Sequence, residues 1–242
     1  MGVLDPEADA LRIFDAMMAG GVAVVPLDVA YAVFGTNAEA IRTIYTAKGR
    51  SFSKPNGTLA NLDIFREVHD VDSRAREVVE AITVDYDLPL SIVGKHREGN
   101  GFTAALDPFC YERSTKNGTM DLLMNAGPLH RALTALSRDR GQPIMGSSAS
   151  VSLGGSKFRL ADVEAPVRDA AAICVDYGLC RYNNPLAISS TIIDLGTYEV
   201  HRFGVCYDQI RDILARHFRI ALPPMPERGL VRGAALGEPA HG

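Results

Sequence analysis

The stretch GGVAVVPLDVAYAVFG, residues 20–35, carries the strongest fold signal in the chain. Its two leading glycines favour the end of a helix, and the residues VAVVP that follow form a short, continuous apolar run. Such a run is typical of a strand buried on both faces of a sheet. The stretch therefore predicts a helix end followed by a buried strand, which is how an α/β domain often begins.

A helix is expected on each side of this stretch. Asp5 and Pro6 form a good N-cap and first-turn pair, and the apolar residues of one helical face follow them: Leu11, Phe14 and Met18. Asn37 can cap a second helix, whose predicted buried residues are Ile41, Ile44 and Tyr45. The sequence therefore predicts one helix before strand 22–26 and another after it, and we expect both to pack against the sheet.

Helices and strands alternate along the rest of the chain. We predict strands at 57–61, 88–94, 119–124, 143–148, 172–177, 188–195 and 198–204. We predict helices near 72–82, from Pro128 to Gly141, near 160–172 and at 207–218. Residues 95–118 show no sustained period and are expected to form long loops with at most one short element. The predicted fold is a single α/β domain, residues 1–221, around one large, twisted, mixed sheet, followed by a loose Pro/Gly-rich tail at 222–242.

The composition narrows the class of protein. The chain has 242 residues, 47% of them hydrophobic, which is enough for the core of one large domain. A formal charge of −4 argues against a surface covered in cations for indiscriminate nucleic-acid binding. The sequence has no apolar run of transmembrane length and no signal-peptide pattern at its start, so we expect a cytoplasmic protein without a membrane partner. Its four cysteines form no C-x-x-C pair, which predicts free, buried thiols and no protein-held metal.

A short basic connector follows the second predicted helix. The sequence TAKGRSFSKPNG, residues 46–57, contains Lys48, Arg50 and Lys54 and no carboxylate. In an extended segment Lys48 and Arg50, two positions apart, would project towards the same space, and Pro55 would stiffen the backbone beside Lys54. Taken alone, such a loop is typical of a solvated surface.

Three segments in fixed order change that interpretation. Residues 20–35 resemble the G-x-V-x-x-x-P-T-[DE]-T-V-Y-G-L motif of the YrdC-like family, the threonylcarbamoyl-AMP synthases. AKGRSFSKPNG resembles that family's K-x-R-x-x-x-K-P, and GQPIMGSSASVS, residues 141–152, resembles its G-x-P-[IL]-x-x-[ST]-S-A-N-x-S. Two weaker similarities follow, in SSTIIDL at 189–195 and VHRFG at 200–204. The chain is identified as a divergent member of this family.

The resemblance implies a concave cationic cavity and a reaction of threonine, bicarbonate and ATP, in which a carbamate attacks the α-phosphate and pyrophosphate leaves. It implies that ATP arrives with Mg²⁺ held mainly by the phosphates and water. Lys48 and Arg50 are then the candidate catalytic cations. The candidate nucleotide- or phosphate-binding residues are Lys54, Ser147, Ser148, Ser150, Ser190, Thr191 and Arg202. The candidate substrate-pocket residues are Leu27, Asp28, Val29 and Tyr31.

The sequence departs from the family pattern on the side of the amino acid. The family's two threonines fall on Leu27 and Val29, whose side chains can neither donate nor accept a hydrogen bond. Each missing hydrogen bond would cost roughly 1–3 kcal/mol, so threonine binding would be weakened by about a hundredfold or more. In addition, the family's asparagine falls on Ser150, and an arginine of the family falls on Leu123. In the long loop His96, Arg97, Arg113 and Lys116 could supply charge, although each is expected in solvent.

Three functions remain open on this basis. The first is an enzyme that forms or transfers a carbamoyl-type adenylate, with an amino acid or amine other than threonine as acceptor. The second is unaltered threonylcarbamoyl-AMP synthesis for tRNA modification. The third is a non-catalytic binder of double-stranded RNA or nucleotide, for which the net charge predicts modest affinity.

Overall fold

One mixed β-sheet organises the computed structural model, which describes residues 4–152 and 154–227. The described residues form ten strands: β1 (Ala23–Pro26), β2 (Tyr31–Gly35), β3 (Gly57–Ala60), β4 (Leu90–Lys95), β5 (Thr115–Lys116), β6 (Thr119–Met124), β7 (Met145–Ser148), β8 (Ile173–Cys174), β9 (Ile192–Asp194) and β10 (Val200–Arg202). They also form nine α-helices: α1 (Pro6–Met18), α2 (Ala38–Ala47), α3 (Leu62–Val68), α4 (Ser73–Glu80), α5 (Gly101–Ala104), α6 (Pro108–Ser114), α7 (Pro128–Arg140), α8 (Ala165–Asp169) and α9 (Tyr207–Phe218). The predicted α/β fold with a large mixed sheet is confirmed.

The strand order brings distant parts of the chain together. It runs β10-β9-β4-β6-β3-β7-β2-β1-β8, and β5 pairs with β6 beside this path. Three pairs are parallel, namely β3 with β6, β4 with β9 and β1 with β8, and the other neighbours are antiparallel. Residues near 30, 58, 121, 147 and 190 therefore lie on neighbouring or nearby strands.

The glycine-led stretch folds as a hairpin. β1 and β2 pair antiparallel, with Val24 opposite Val33, and a turn closed by the N–H of Leu27 and the carbonyl of Ala30 at 3.2 Å joins them. Sequence analysis predicted the first strand only. All five residues of β2 are buried, so this strand lacks the alternation that would have separated it from its surroundings.

The helix caps predicted from the sequence are confirmed, but the apolar face predicted for α1 is wrong, since Phe14 is buried whereas Leu11 and Met18 are exposed. Asp5 Oδ1 accepts from the N–H of Ala8 at 3.0 Å, and Asn37 Oδ1 accepts from the N–H of Ala40 at the same distance. Gly141 adopts φ +60° and ends α7, as predicted. These caps satisfy backbone donors that a helix leaves without partners at its first turn.

The short helices are where the sequence prediction is wrong. The segment 95–118, expected as loops, contains α5, α6 and β5, and helix α3 was not predicted at all. The helix expected near 160–172 is only α8, with a 3₁₀ turn over Leu160–Asp162. Each of these helices has seven residues or fewer, too few to display a helical period, and side-chain caps or tertiary packing stabilise them.

Strand β6 shows how the two faces of the sheet differ. Met120, Leu122 and Met124 are buried in an apolar cluster with α3, α4 and α9. The alternate residues, Thr119, Asp121 and Leu123, line a cavity on the other face. A second apolar cluster, which includes residues of α1 and α7, borders that cavity. The sheet therefore separates a helix-covered core from an open site.

The packed part of the chain continues beyond the predicted boundary at residue 221. Leu222 is buried, the hydroxyl of Tyr207 donates to the carbonyl of Pro223 at 2.5 Å, and Met225 packs against the core. The remainder of the predicted tail, residues 228–242, lies outside the described residues. Within the described ranges, none of the helices combines the length and the apolar character needed to cross a bilayer.

Candidate active-site cavity

A cavity of about 640 Å³ lies where the family resemblance predicts a substrate site. Its volume falls in the range of pockets that bind nucleotide-sized ligands. Eight of the thirteen residues predicted for the site line it: Leu27, Val29, Tyr31, Arg50, Ser147, Ser148, Ser190 and Arg202. The other five are not among the lining residues: Asp28, Lys48, Lys54, Ser150 and Thr191.

The basic connector is not extended, which corrects the prediction that Lys48 and Arg50 project together. Lys48 is the C-cap of α2, and Gly49 follows with φ +57°. The N–H of Arg50 donates to the carbonyl of Tyr45 at 2.9 Å, and that of Gly49 to Thr46 at 3.1 Å. This is a Schellman turn, in which a left-handed glycine closes the helix. Lys48 and Arg50 therefore leave the backbone in different surroundings, and only Arg50 lines the cavity.

Lys48 holds the serine-rich turn after β7. Its Nζ donates to the carbonyl oxygens of Ser148 and Ser150, and its own carbonyl accepts from the N–H of Ser152 at 3.0 Å. The side chain is 3% exposed, and burial, with a smaller effect of the neighbouring Arg50, lowers its pKa to about 7. In this arrangement the ammonium group positions the turn that carries Ser147 and Ser148.

Arg50 is fixed in the cavity wall by the rest of the connector. Its Nη2 donates to the carbonyl of Pro55 at 2.8 Å, and its guanidinium lies 5.6 Å from the ring of Tyr45. The Tyr45 ring also stacks on Phe52 with a centroid distance of 4.9 Å. A guanidinium held in this way loses little further freedom when it binds an anion.

Arg202 supplies a second fixed guanidinium from β10, the strand at one end of the sheet order. Its Nε donates to the carbonyl of Ser190 at 2.8 Å, and its Nη2 donates to the Ser190 hydroxyl at 2.8 Å. The Ser190 hydroxyl also lies 2.9 Å from that of Ser91. Burial lowers the pKa of Arg202, and the charge of Asp121 opposes that shift. Arg202 and Ser190 thus form one connected polar wall.

The wall that carries the departures from the family pattern is apolar. Leu27 and Val29 are buried and belong to the same cluster as Ala32, Phe34 and Leu59. Tyr31 also borders the cavity, but its hydroxyl donates to Asp176 Oδ1 at 2.7 Å and accepts from the N–H of Tyr177 at 3.2 Å. Neither the Leu27 nor the Val29 side chain offers a polar atom, and the Tyr31 hydroxyl is already engaged.

The remaining predicted residues have contacts of their own. Asp28 lies 3.6 Å from Arg181, and its N–H donates to the carbonyl of Ala126 at 2.8 Å. The hydroxyl of Thr191 donates to the carbonyl of Val205 at 3.0 Å. Lys54 is exposed and Ser150 is buried. None of these four residues is among those that line the cavity, although they were expected to face it.

Several lining residues were not predicted for the site, and they add charges of both signs. Lys116 is exposed, as expected, and it also lines the cavity, together with Asp121, Asp194 and His201. Burial raises the pKa of Asp121 to about 6, against the opposing charges of Arg202 and His201. The period-two pattern of TMDLLM was the available signal, since it places Asp121 on the same face as Leu123.

The described residues contain no group of three or more His, Cys, Asp or Glu side chains that could hold a metal ion. The four cysteines are free thiols, of which Cys110 and Cys180 are buried and Cys174 is exposed. The prediction of buried thiols is therefore confirmed for two of them and wrong for Cys174.

Solved structures with the same fold are found at low sequence identity. P. abyssi Sua5, solved in complex with L-threonine, has a TM-score of 0.70 at 19% identity. That match covers 92% of this chain and 61% of Sua5, so the chain spans about three fifths of that relative. E. coli YciO has a TM-score of 0.63 at 16% identity, with 84% of this chain and 92% of YciO covered. Full-length HypF in a phosphate- and nucleotide-bound form has a TM-score of 0.57 at 14% identity, with 80% of this chain and 28% of HypF covered.

Comparison at the level of families gives a match over most of the chain. No curated protein matches the sequence. A family model named Sua5_yciO_yrdC, with the description telomere recombination, matches residues 15–204. This span includes β1 to β10 and every residue of the candidate site. The chain belongs to the Sua5/YciO/YrdC family.

Proposed function

We propose that this protein is a threonylcarbamoyl-AMP-synthase-like enzyme that forms a carbamoyl-type adenylate from ATP, bicarbonate and an amine or amino acid. The main support is the wall of the cavity, where two fixed guanidinium groups, Arg50 and Arg202, lie with the hydroxyls of Ser148 and Ser190. Membership of the Sua5/YciO/YrdC family supports the same function. HypF, which has the same fold, is solved with phosphate and nucleotide bound.

The chemistry suits such a wall. A carbamate oxygen attacks the α-phosphorus of ATP, the bond to the bridging oxygen breaks, and pyrophosphate leaves. This displacement requires little covalent assistance, but it requires a triphosphate held in position and neutralisation of its charge. Arg50 and Arg202 would bind phosphate oxygens, and Lys116 adds a third cation at the cavity. Mg²⁺ would be bound mainly by the phosphates and water.

The acceptor proposed here differs from threonine. In place of the family's two threonines the chain has Leu27 and Val29, both buried in an apolar cluster that borders the cavity. A hydroxyl or carboxylate placed against them would lose its partners in water and gain none. An acceptor with an apolar side chain avoids that cost.

Threonine is the second candidate acceptor. It is supported by the Sua5 structure, which contains L-threonine and shares the fold over 92% of this chain. Under this alternative, polar groups elsewhere in the cavity, such as Ser91 and Ser190, would supply the hydrogen bonds that Leu27 and Val29 cannot make.

Pyrophosphate release decides between these functions. The protein is incubated with ATP, Mg²⁺, bicarbonate and a panel of amines and amino acids that includes threonine. We expect release with an apolar acceptor, a decrease of at least tenfold in Arg50→Met and in Arg202→Met, and a change below twofold in the exposed control Lys54→Met. Release with threonine alone would support the second candidate. Absence of release with every acceptor would contradict both enzymes, and salt-sensitive RNA binding without turnover would then favour the non-catalytic alternative.

A further inference from the structure

Asp121 is a carboxylate in the cavity that the chain itself leaves without a partner. It lies on β6, opposite Val93 of β4, in the middle of the sheet. Its Oδ1 is buried and makes no hydrogen bond with any residue in the described ranges. Within the described ranges no side chain forms an ion pair with Asp121. A buried carboxylate is costly unless a donor or a cation pairs with it, so this position favours a cationic ligand.

The nearby cation of the chain is already engaged. Burial raises the pKa of Asp121 and the charge of Arg202 opposes this rise, but the Nε and Nη2 of Arg202 donate to the carbonyl and the hydroxyl of Ser190. The other charged or titratable side chains that line the cavity are Arg50, Lys116, Asp194 and His201. Asp194 Oδ1 accepts from the N–H groups of Gly196 and Thr197 at 2.8 and 2.9 Å, so its turn satisfies it. Asp121 differs from Asp194 in having an oxygen without such donors.

An apolar surface begins beside this carboxylate. Leu123 lies two residues further along β6 on the same face, and it is paired with Leu59 of β3. Leu59 belongs to the cluster that contains Leu27 and Val29, and Leu123 packs against that cluster. The cavity therefore presents a carboxylate followed by a continuous apolar wall. This pattern is complementary to an amine whose other end is apolar.

We propose that Asp121 binds the ammonium group of the acceptor and accepts its proton, and that the acceptor is an amine or amino acid with an apolar side chain lying on Leu27, Val29 and Leu123. This inference rests on the proposed function, because it assigns a substrate class and a base to the same cavity.

The proton transfer has a defined place in the reaction. An ammonium nitrogen has no free electron pair, so it must lose a proton before it can attack carbon. Asp121 takes that proton and leaves a neutral amine. The amine nitrogen then forms a bond to the carbon of bicarbonate, a C–O bond breaks, and water leaves with the second nitrogen proton, which yields the carbamate anion. The protonated Asp121 returns its proton to solvent before the next turnover.

The environment of Asp121 suits this task. Burial raises its pKa to about 6, so at pH 7.5 the group is mostly ionised and is a stronger base than an ordinary aspartate. Protonation below this pH would remove both the charge that holds the ammonium and the acceptor of its proton. The proposal therefore predicts an acidic limb near pH 6 in kcat/KM for the amine.

The test compares wild type with Asp121→Asn, which keeps the size of the side chain, and with the exposed control Asp139→Asn on α7. The probes are L-leucine, 3-methylbutylamine and L-threonine, and the readouts are calorimetric binding, pyrophosphate release, ATP-analogue affinity and thermal unfolding. We expect Asp121→Asn to remain folded and to bind the ATP analogue with an affinity within twofold of wild type. It should bind leucine and 3-methylbutylamine at least tenfold more weakly. Its kcat/KM for the amine should fall at least 100-fold, and the pH profile of kcat/KM should lack the acidic limb. Asp139→Asn should match wild type in every readout.

The outcomes separate this inference from the proposed function. Pyrophosphate release is measured in both proteins: a rate in Asp121→Asn within threefold of wild type would support the proposed function and overturn the role of Asp121. Release that shows no preference for apolar amines would have the same meaning. Amine binding that requires Asp121, without pyrophosphate release, would support the ammonium site and overturn the proposed function. Failure of wild type to bind or use any of the three probes would overturn the inference, as would an equal loss of ATP-analogue affinity in Asp121→Asn.

Discussion

Lys48 provides the sharpest test of the geometry, because the structure places its ammonium group under the serine turn and not in the cavity. Its Nζ donates to the carbonyls of Ser148 and Ser150, and burial lowers its pKa to about 7. In the unfolded chain its pKa returns to the ordinary value of 10.5. Between these two values the folded protein binds fewer protons than the unfolded chain, so the stability must rise with pH.

The size of this effect follows from the two pKa values. For a pKa of about 7 in the folded state and 10.5 in the unfolded state, the free energy of unfolding increases by about 2 kcal/mol between pH 7 and pH 9. Lys48→Met keeps a long apolar side chain but cannot titrate, so it lacks this increase. It also removes the donor to the Ser150 carbonyl, whereas the Ser148 carbonyl still accepts from the N–H of Ser150 at 2.9 Å.

The assay is urea unfolding of wild type, Lys48→Met and the exposed control Lys54→Met at pH 7 and at pH 9. The difference in unfolding free energy between wild type and Lys48→Met should grow by about 2 kcal/mol over this range, because all other titrating groups are shared and cancel. The difference between wild type and Lys54→Met should stay constant. A constant difference for Lys48→Met as well would mean that the amine is solvated in the cavity, and the structural role given to Lys48 would be refuted.

Two further predictions concern the fold around the site. Burial lowers the pKa of His130 to about 4, so wild type should lose stability as the pH falls from 6.5 towards 4. In urea unfolding at pH 5 the free energy of unfolding of wild type should be lower by about 2 kcal/mol, and His130→Gln should lack this loss. An equal acid sensitivity of the two proteins would contradict that burial. A Cβ at Gly146 would lie 1.9 Å from the carbonyl oxygen of Val33, so Gly146→Ala should lower the unfolding free energy by about 3 kcal/mol or more. The control is Gly196→Ala, where the nearest atom to the added Cβ is at 3.3 Å. This variant should change the unfolding free energy by less than about 1 kcal/mol. Similar thermal midpoints for the two glycine variants would count against the close β2–β7 approach.

The parts of the fold that the sequence predicts are those with long local signals. α1, α2, α7 and α9 each have ten or more residues, and a cap or helical period marked each of them. The hairpin strand β2 and the short helices α3, α5 and α6 were not identified, because burial on both faces or a length of one to two turns removes the period. The conformation of these short elements depends on tertiary packing, and the intrinsic propensities of their residues do not predict that packing.

The candidate site was predicted in outline and corrected in detail. Ordered motifs identified Arg50, Ser148 and Arg202, which do line one cavity. The predicted direction of the Lys48 side chain was wrong because Gly49 closes a Schellman turn and the connector is not extended there. A glycine directly after a predicted helix is the sequence signal for such a turn. The alternation along β6 places Asp121 on the face of Leu123, but only the order of the strands brings it into one cavity with Arg202, which lies 81 positions further along the chain.

The cavity has a consequence for how the protein acquires its activity after synthesis. Its lining residues run from Leu27 to Arg202 and come from eight of the strands in the described chain, so no contiguous fragment shorter than residues 27–202 contains all of them. Contacts between such distant positions form slowly, because the entropy of closing long loops is lost before the contacts stabilise the product. Residues as far along the chain as Arg202 must therefore leave the ribosome before the cavity can bind ligand. Substrate can then stabilise the finished protein, but it cannot guide the early stages of folding.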